Sequence, residues 1–523
     1  MHSFGHNLKT MQNNALFLGI DCSTTACKAI AWDSAGHAVA EGRAPISLHN
    51  PGPDAWEQDA SSWLHSTKRA IREVTTTLGR LGSARIRALS ITHQRETFVL
   101  TDEAGTPLHP ALVWMDARCR PEVEVLGSKV GKARIHAISG KYPCTTPSLY
   151  KLQHLLTRLA PEIAKNPFRV LDVGAFLIWN LTGRCVTSIA SADPTGLVDM
   201  RSRRWSTELL SLLGLSEEQM PKLVEPGEAI GEIGAEIALD LGLPVGTAVF
   251  AGAGDGQSAA LGAGILGPGK AYLNLGTAIV SGVVSPEYRI DAAFRTMMAA
   301  MPFAFLYETD LKGGTFTLSW LVEKLLGREP RESREVLSQL ENEAASIPRG
   351  ADGLVLLPYF HGVMNPYWDD AATGLLFGLH GGQGPAHVYR AILEGIALEQ
   401  RVFMEGVEKA SFPITEMVVL GGGSRSVLWC QILADVLDKP IRRAGTSEAT
   451  SLGAGILAAY GAGLFSTIDA AAAAMTSEGE VIFPGEGRAF YDRLYRDVYV
   501  TLYPALRDAM SNLSKLREAS AKM

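Results

Sequence analysis

The sequence lacks the features that would place it in or across a membrane. No uninterrupted apolar run reaches the ~18 residues that a crossing requires. The first 14 residues, MHSFGHNLKTMQNN, are polar and lack the apolar core of a secretory signal. The six cysteines are scattered without C-x-x-C spacing, which predicts reduced and mostly buried thiols. These absences predict a cytoplasmic protein with no membrane partner.

An excess of positive charge is also missing. The net charge is −7 and no basic stripe occurs, so nucleic acid is not expected as a partner. Hydrophobic residues at 46% and charged residues at 20% are typical of a soluble globular protein. A chain of 523 residues is too long for one ordinary core, which predicts at least two large domains.

A P-loop or a dinucleotide-binding glycine loop is missing as well, although two segments match the glycine spacing of these motifs. G-x-G-x-x-G occurs at 262–267 and G-x-x-x-x-G-K at 264–270, but Ala271 stands where a P-loop needs Ser or Thr. Both motifs need the order strand, loop, helix. Here the predicted order is a helix, QSAALGAGIL, then the turn GPG, then a strand, KAYLNLG. We therefore predict that neither motif binds phosphate, and that Gly262 and Gly264 allow close helix packing.

What is present is a mixed α/β pattern in two parts. The first part reads as the strands ALFLGID, ACKAIAWD, AVAEGRAPI, IRALSIT and ALVWMD, with a helix over WEQDASSWLHSTKRAIREVTTTL. The second part reads as the strands KAYLNLGT, AIVSGVV and MVVLGGG, followed by the helix SVLWCQILADVLD. The phrase LGAGIL occurs at 261–266 and again at 452–457. We predict two related α/β halves that meet near 250–256, with domains at 15–253 and 254–515.

Two acidic residues stand at strand ends in this pattern. Asp21 adjoins the hydroxyl-rich turn Ser23-Thr24-Thr25, with Lys28 three residues beyond, and Gly276-Thr277 forms a second such turn. Amide-rich tight turns bind anions. Asp255 opens a predicted helix, where an Asp can also serve merely as the N-cap. One carboxylate for a metal and one as proton acceptor, facing two phosphate-type turns, suit magnesium-dependent phosphoryl transfer.

At these residues the sequence resembles the FGGY carbohydrate kinases, from about residue 16 to about residue 500. The resemblance is carried by GIDCSTTACKAIAWD, WEQD, VWMDARC, GDGQSAALGAG, NLGT, GLLFGLHGGQGPAHVYRAILE and GGGSRSVLWCQILAD. It implies two actin-like domains, as in the sugar kinase, Hsp70 and actin superfamily, with ATP and sugar meeting in a cleft between them.

The resemblance also implies a role for individual residues. Asp255 matches the general base, and Asp21 together with Asp255 matches the Mg²⁺ site. Substrate contacts are implied for Gln94, Arg95, Glu96, Trp114, Asp116, Thr146 and Asp255. ATP contacts are implied for Ser23, Thr24, Thr25, Lys28, Gly276, Thr277, Gly313, Gly314, Gly422, Gly423 and Ser426. The chain departs from the family at Ser23, where Gly is usual, and in TTPSLYKLQHLL, which lacks a Trp beyond Lys151.

Several of these residues also have a purely structural interpretation. Gly421 to Gly423 can be no more than the start of a helix, and Trp114 can belong to the core. Asp116 and Arg118 can form a surface ion pair. Residues 57–59 can be a solvated helix start.

The residues around the predicted sugar site favour two different substrates. The tetrad Gln94-Arg95-Glu96-Thr97 resembles glycerol kinase, whose Arg and Glu contact the substrate. Gly256, Thr146 and Val280, however, stand where glycerol kinases carry larger side chains. This predicts a larger pocket and a longer substrate, with D-xylulose as the first candidate. Glycerol or another polyol is the alternative.

Two further alternatives concern the protein's class and its assembly. An actin- or Hsp70-like ATP-driven binding protein would keep the phosphate turns, but it would not need the sugar-binding residues. A sensor that binds sugar without catalysis is a second rival. The C-terminal YDRLYRDVYVTLYPALRDAM is an amphipathic helix that can cover a domain or join a homodimer.

Overall fold

The protein is described here by a computed structural model covering residues 14–520. The N-terminal segment in which we expect no secretory signal therefore lies almost wholly outside the described residues. Within residues 14–520, no helix combines the length and apolar character that a membrane crossing needs. All six cysteines are free thiols, four of them buried, as predicted.

The chain is built of strands and helices, with runs of consecutive strands at β1 to β5 and β16 to β19 as numbered below. The strands are β1 (Leu16–Cys22), β2 (Ala26–Trp32), β3 (Ala38–Pro45), β4 (His49–Gly52), β5 (Ala55–Gln58), β6 (Ile86–His93), β7 (Phe98–Thr101), β8 (Ala111–Leu112), β9 (Arg169–Asp172), β10 (Val186–Ser188), β11 (Val198–Asp199), β12 (Arg204–Trp205), β13 (Lys222–Val224), β14 (Ala229–Glu232), β15 (Ala248–Phe250), β16 (Lys270–Leu275), β17 (Ile279–Ser285), β18 (Arg295–Met298), β19 (Phe305–Leu311), β20 (Val355–Leu357), β21 (Leu375–Phe377), β22 (Glu416–Leu420), β23 (Ile441–Ala444) and β24 (Glu478–Ile482). The helices are α1 (Ala60–Ser83), α2 (Arg120–Val130), α3 (Lys132–Ser139), α4 (Ser148–His154), α5 (Val173–Thr182), α6 (Ile189–Ala192), α7 (Thr207–Leu212), α8 (Ala235–Leu241), α9 (Asp255–Gly262), α10 (Phe316–Trp320), α11 (Ser333–Ala345), α12 (Pro385–Ala410), α13 (Val427–Leu437), α14 (Ala449–Gly461), α15 (Ile468–Met475), α16 (Arg488–Leu494) and α17 (Val500–Ser520).

Two large sheets share one topology. The first has the order β3-β2-β1-β6-β15-β14, and the second has the order β18-β19-β17-β16-β22-β23-β24. In each, an antiparallel meander leads to a central strand, β1 or β16, which pairs in parallel with the next strand. That strand pairs in parallel with a third, and an antiparallel strand closes the edge. The prediction of two related α/β halves is thereby confirmed.

The repeated phrase LGAGIL marks the contact between the two halves. A side chain at Gly262 of α9 would collide with the carbonyl oxygen of Ala449, and one at Gly453 of α14 would collide with that of Ser258. Ser258 precedes Gly262 by four residues, and Ala449 precedes Gly453 by four residues. The glycine of each helix therefore contacts the other helix one turn before that helix's own glycine, so the contact is reciprocal. Close helix packing was predicted correctly for Gly262. It was wrong for Gly264, which lies beyond the end of α9 at φ +74°.

Two predicted elements have different bounds in the structure. The helix predicted from WEQD begins only at Ala60 with Asp59 as its N-cap, because residues 55–58 form β5 and hydrogen-bond to β8. The strand predicted over ALVWMD is limited to Ala111–Leu112. The order of helix, turn and strand around GPG is as predicted, so neither glycine motif lies between a strand and a following helix.

The C-terminal helices cover the second domain. Four tyrosines at intervals of four residues are buried, and each hydroxyl donates to a carboxylate: Tyr491 to Glu394, Tyr495 to Glu405, Tyr499 to Glu399 and Tyr503 to Asp369. Of the two possibilities for this segment, the structure shows it covering its own domain. A homodimer remains a prediction.

Candidate active site

The predicted sugar-binding and catalytic residues meet at one edge of the first sheet. Strands β1, β6 and β15 run parallel and are neighbours, so their carboxyl ends lie side by side. Asp21 lies near the end of β1, Gln94 follows β6, and Gly254 bridges His93 just before Asp255. Parallel strands thus bring together three segments that are far apart in the sequence.

Asp255 is the first residue of α9, whose N-cap is Gly254, so the interpretation of Asp255 as the N-cap is wrong. Its Oδ1 forms an ion pair with Arg95 Nε at 2.7 Å and accepts a hydrogen bond from the backbone N–H of Gly256 at 2.7 Å. Oδ2 has no partner among the described residues, and 40% of the side chain is exposed. One oxygen is therefore held in place while the other faces solvent.

Arg95 and Glu96 are held by partners from the second half of the chain. Arg95 Nη1 donates to Glu308 Oε1 and Oε2 at 2.9 and 2.7 Å, and Arg295 Nη1 donates to Glu96 Oε1 at 2.9 Å. Arg295 also binds Glu308 and approaches Asp310 at 3.5 Å. We call Arg95, Glu96, Asp255, Arg295, Glu308 and Asp310 the charge network.

Glu308 is the centre of this network and is fully buried. Burial by itself would raise its pKa, but the charges of Arg95 and Arg295 outweigh burial and lower the pKa to about 2. Tyr272 adds a hydrogen bond from its hydroxyl at 3.0 Å. Glu308 is thus a permanent carboxylate that joins the two arginines.

The network corrects one inference about pocket size. A Cβ at Gly256 would lie 2.6 Å from Glu308 Oε2 and 3.0 Å from the Arg95 guanidinium. A Cβ at Gly254 would lie 2.5 Å from the Arg95 side chain. The missing side chain at Gly256 therefore makes room for the Arg95–Glu308 ion pair and does not enlarge the pocket. The argument for a larger pocket rests on Thr146 and Val280 alone.

Gln94 and Trp114 lie between the sugar region and the first predicted phosphate turn. Gln94 Nε2 donates to Gln58 Oε1 at 2.7 Å, and Gln58 Nε2 donates to the Thr24 carbonyl at 2.6 Å. Trp114 Nε1 donates to Thr24 Oγ1 at 3.0 Å. Trp114 is only half-buried, so it is not a core residue. Gln58 lies in β5 and forms part of this connection, so it is not a solvated helix start.

Asp116 is buried and hydrogen-bonded within its own domain. It is 1% exposed, Oδ2 accepts from the Trp56 N–H and the Arg118 side chain, and Oδ1 accepts from the Arg118 N–H. The interpretation as a surface ion pair is therefore wrong, and a sugar contact stays a prediction. Asp116 is a buried anchor that ties the strand β5 segment to the segment after β8.

Thr146 is buried beside a fully buried lysine. Lys151 Nζ donates to the carbonyls of Thr145 and Thr146, which holds this loop against α4. Lys151, the lysine of the family's N-terminal motif, therefore stabilises the loop at Thr145 and Thr146. Thr146 itself is 7% exposed and presents a small side chain.

The first predicted phosphate turn is a tight turn between β1 and β2. The Ser23 N–H and hydroxyl both donate to the Ala26 carbonyl, at 3.0 and 2.8 Å. The prediction that the Ser23 amide contacts phosphate is therefore wrong, because the turn itself uses that donor. Thr24 and Thr25 form the tip, and Thr25 is exposed. They remain the candidates for phosphate binding in this turn.

Lys28 lies on β2 directly opposite Asp21 of β1. Its Nζ donates to Glu448 Oε2 at 2.6 Å. Glu448 immediately precedes α14, so this ion pair joins the two halves beside Asp21. Lys28 therefore lies beside Asp21 with a carboxylate partner, and its contact with ATP stays a prediction.

The second phosphate turn and the Gly313-Gly314 loop lie in direct contact. The Thr315 N–H donates to the Gly276 carbonyl at 2.9 Å, and the Phe316 N–H donates to the Thr277 carbonyl. A Cβ at Gly314 would lie 2.7 Å from both carbonyl oxygens. The structure thus brings together four residues that were predicted separately to bind ATP.

The predicted adenosine junction follows β22. Gly421 has φ +80° and lies against Asn274, and a Cβ at Gly423 would meet the Trp429 ring and Leu275. Gly422, in contrast, faces open space. Ser426 is the N-cap of α13 and donates to Glu341 Oε1 at 2.6 Å. Gly421 and Gly423 therefore serve local packing, and Gly422 is the position open to a ligand.

The residues present fit a magnesium ion. Asp21 Oδ1 is buried and has no hydrogen-bond partner among the described residues. Burial, followed by the nearby charge of Asp255, raises the pKa of Asp21 to about 7, while Lys28 opposes the rise. Within residues 14–520, no cluster of three or more His, Cys, Asp or Glu side chains is arranged to bind a metal. Mg²⁺ commonly uses one or two carboxylates and keeps several waters, so Asp21 and Asp255 suffice.

Two α/β domains of matching strand order, with acidic strand ends and two phosphate-type turns, define a phosphotransferase of the actin-like fold. Comparison with known proteins makes the assignment specific. Residues 16–262 match the model for the FGGY family of carbohydrate kinases, N-terminal domain, and residues 271–462 match the C-terminal domain of the same family. The chain belongs to the FGGY family of carbohydrate kinases.

Individual relatives bear two substrate names. The chain is 28% identical to a xylulose kinase of Staphylococcus epidermidis over 95% of this chain and 98% of that protein. It is 31% identical to a glycerol kinase of Acidovorax sp. over 88% and 93% of the two chains. The crystal structure of xylulose kinase from Rhodospirillum rubrum has a TM-score of 0.84 and 28% identity, over 95% of this chain and 99% of that one.

Sequence reasoning missed the residues of the second half that hold the site together. Arg295, Glu308 and Asp310 lie on β18 and β19, in stretches without a recognisable motif. The available signal was charge within otherwise apolar strands, as in FLYETDL and RTMM. Charged residues in a buried strand are normally paired.

Proposed function

We propose that this carbohydrate kinase transfers the γ-phosphoryl group of ATP to a terminal hydroxyl of a neutral ketose, with D-xylulose as the first candidate. The observation that carries the proposal is the unpaired Oδ2 of Asp255, fixed at the strand edge beside Arg95. Neither Arg95 Nη2 nor Glu96 Oε2 has a partner among the described residues. One donor, one acceptor and one proton acceptor are thus available to adjacent hydroxyls.

The charge of the site favours a neutral substrate. Four carboxylates and two guanidinium groups form the charge network, so a sugar acid would bring a further negative charge to an already acidic pocket. A ketose or polyol has hydroxyl groups that can both donate and accept. The proposal therefore excludes gluconate-type substrates.

In the proposed reaction Asp255 Oδ2 accepts the proton of the substrate hydroxyl as its oxygen attacks the γ-phosphorus in line and the bond to the ADP oxygen breaks. Arg95 fixes Oδ1 and so orients the base. The amides at Thr24-Thr25 and Gly276-Thr277 would receive phosphate oxygens. When held by Asp21, with Asp255 as the neighbouring carboxylate, Mg²⁺ would supply charge neutralisation at those oxygens.

Glycerol or another polyol is the second candidate, because Arg95 and Glu96 match the substrate pair of glycerol kinases. Two positions count against it. Thr146 and Val280 stand where glycerol kinases carry larger side chains. Free thiols at all six cysteines support the further proposal of a cytoplasmic enzyme.

The test is ADP release from MgATP with D- and L-xylulose, D- and L-ribulose, glycerol, erythritol, xylitol and gluconate. We expect strong stimulation by D-xylulose and none by gluconate. Asp255→Asn should lower kcat about 10²- to 10⁴-fold with the KM for ATP nearly unchanged, since the loss is that of a general base. The control is Asp240→Asn, an exposed partner of Arg72 remote from the cleft. Near-normal turnover by Asp255→Asn would refute the assignment.

A further inference from the structure

One face of the second sheet carries a row of polar side chains directed at the sugar-binding residues. Directly opposite residues on antiparallel strands share a face, as do alternate residues on one strand. Glu308 pairs with Gly282 and with Arg295, while Asp310 pairs with Val280. Glu308, Asp310, Arg295 and Val280 therefore lie on the same face.

Asp310 differs from the other members of this row. It is 8% exposed, and Oδ2 lies 3.5 Å from Arg295 Nη2. Oδ1 is buried and has no hydrogen-bond partner among the described residues. The backbone N–H of Asp310 donates to Asn365 Oδ1 at 3.1 Å, which fixes the strand at this point. A buried carboxylate oxygen without a donor is costly, and a bound hydroxyl would supply that donor.

Asp310 is connected through Arg295 to Glu96, one of the proposed substrate-binding residues. Arg295 donates to Glu96 through Nη1 and approaches Asp310 through Nη2. One guanidinium therefore spans Glu96 and Asp310. On the neighbouring strand, directly opposite Asp310, stands Val280, where the resemblance implies a larger side chain in glycerol kinases. The position at which a longer substrate is expected to fit thus lies opposite an acceptor that lacks a donor.

We propose that Asp310 is a further substrate-binding residue, whose Oδ1 accepts a hydrogen bond from a sugar hydroxyl remote from the phosphorylated end. It thereby selects neutral substrates longer than three carbons. The inference rests on the proposed kinase function and makes that function specific. A purely structural Asp310, which only orients Arg295, would affect substrates of every length equally.

The test compares kcat/KM for D-xylulose and glycerol, together with D-xylulose binding by calorimetry in the absence of nucleotide. In Asp310→Asn, the donors of Arg295 should attract the amide oxygen and turn the NH₂ group towards the substrate. We expect D-xylulose binding and kcat/KM to fall about tenfold or more, and glycerol kcat/KM to change less than about threefold. Asp435→Asn, a buried carboxylate of α13, is the control.

Val280→Phe is the second variant, and it remains informative if Asp310→Asn does not fold. It should fill the space beside Asp310, lower kcat/KM for D-xylulose at least about tenfold and spare glycerol. Equal losses for both substrates, or no loss for either, would overturn the inference while the kinase function stands. A wild-type chain that neither binds nor phosphorylates any sugar of the panel would overturn the proposed function itself, and this inference with it.

Discussion

Removing the charge of Glu308 should destabilise the protein and weaken sugar binding together. Glu308→Gln keeps the size of the side chain but leaves Arg95 and Arg295 without their shared carboxylate, and it directs an amide N–H₂ at their donors. The fall in the pKa of Glu308 from 4.5 to about 2 corresponds to about 3 kcal/mol of stabilisation. Breaking a buried ion pair costs about 3–5 kcal/mol. Because each arginine keeps a second carboxylate, we expect the lower end of this range.

The effect has a defined pH dependence. A lowered pKa in the folded state contributes stability above the unfolded value of about 4.5, and this contribution is lost as the pH falls towards 2. The difference in the free energy of unfolding between the wild type and Glu308→Gln should therefore be constant from pH 8 to about pH 5 and shrink below it.

The assay is thermal unfolding followed by circular dichroism, together with D-xylulose kinetics at pH 7.5. A loss of about 3 kcal/mol in a domain of this size lowers Tm by about 6–10 °C. The KM for sugar should rise about tenfold, since Arg95 loses the partner that orients it. Glu478→Gln is the control, because Glu478 is exposed and pairs with Arg442 at the surface. A Glu308→Gln protein that melts within 2 °C of wild type with an unchanged KM would refute the reasoning.

Two other predictions test the fold. Gly262→Ala should lower the free energy of unfolding by about 3 kcal/mol or more, because the added methyl group meets the Ala449 backbone oxygen and neither helix can move away locally. Chemical denaturation measures this loss, and Gly267→Ala, at a position in open space, is the control. An unchanged denaturation midpoint for Gly262→Ala would contradict the prediction. Burial raises the pKa of Glu399 from 4.5 to about 7, against the hydrogen bonds from Tyr499 and Tyr359. Its stabilising contribution is therefore full below about pH 4.5 and lost as the pH rises through 7, so wild type should lose up to about 3 kcal/mol relative to Glu399→Gln over that window. Parallel stability curves for the two proteins from pH 4.5 to 8 would show the reasoning to be wrong.

The sequence by itself determined the elements and the motifs. Local patterns were enough to predict the strand–turn–strand openings, the reversed order around GPG and the family, since each depends on residues close together in the chain. Asp21, Asp255 and the Gln94-Arg95-Glu96 segment were predicted to meet, because each follows a strand of a recognisable type.

Only the tertiary structure decided which side chains are available for chemistry. Gly256 was interpreted as empty space until β19 placed Glu308 against it. Asp116 was interpreted as a possible surface ion pair until the fold buried it against Trp56 and Arg118. The Ser23 amide is used by its own turn. Arg295 and Asp310 belong to the charge network through strand pairings between residues remote in sequence. Hydrogen-bond capacity is limited, so a residue's role depends on which partners the fold has already given it.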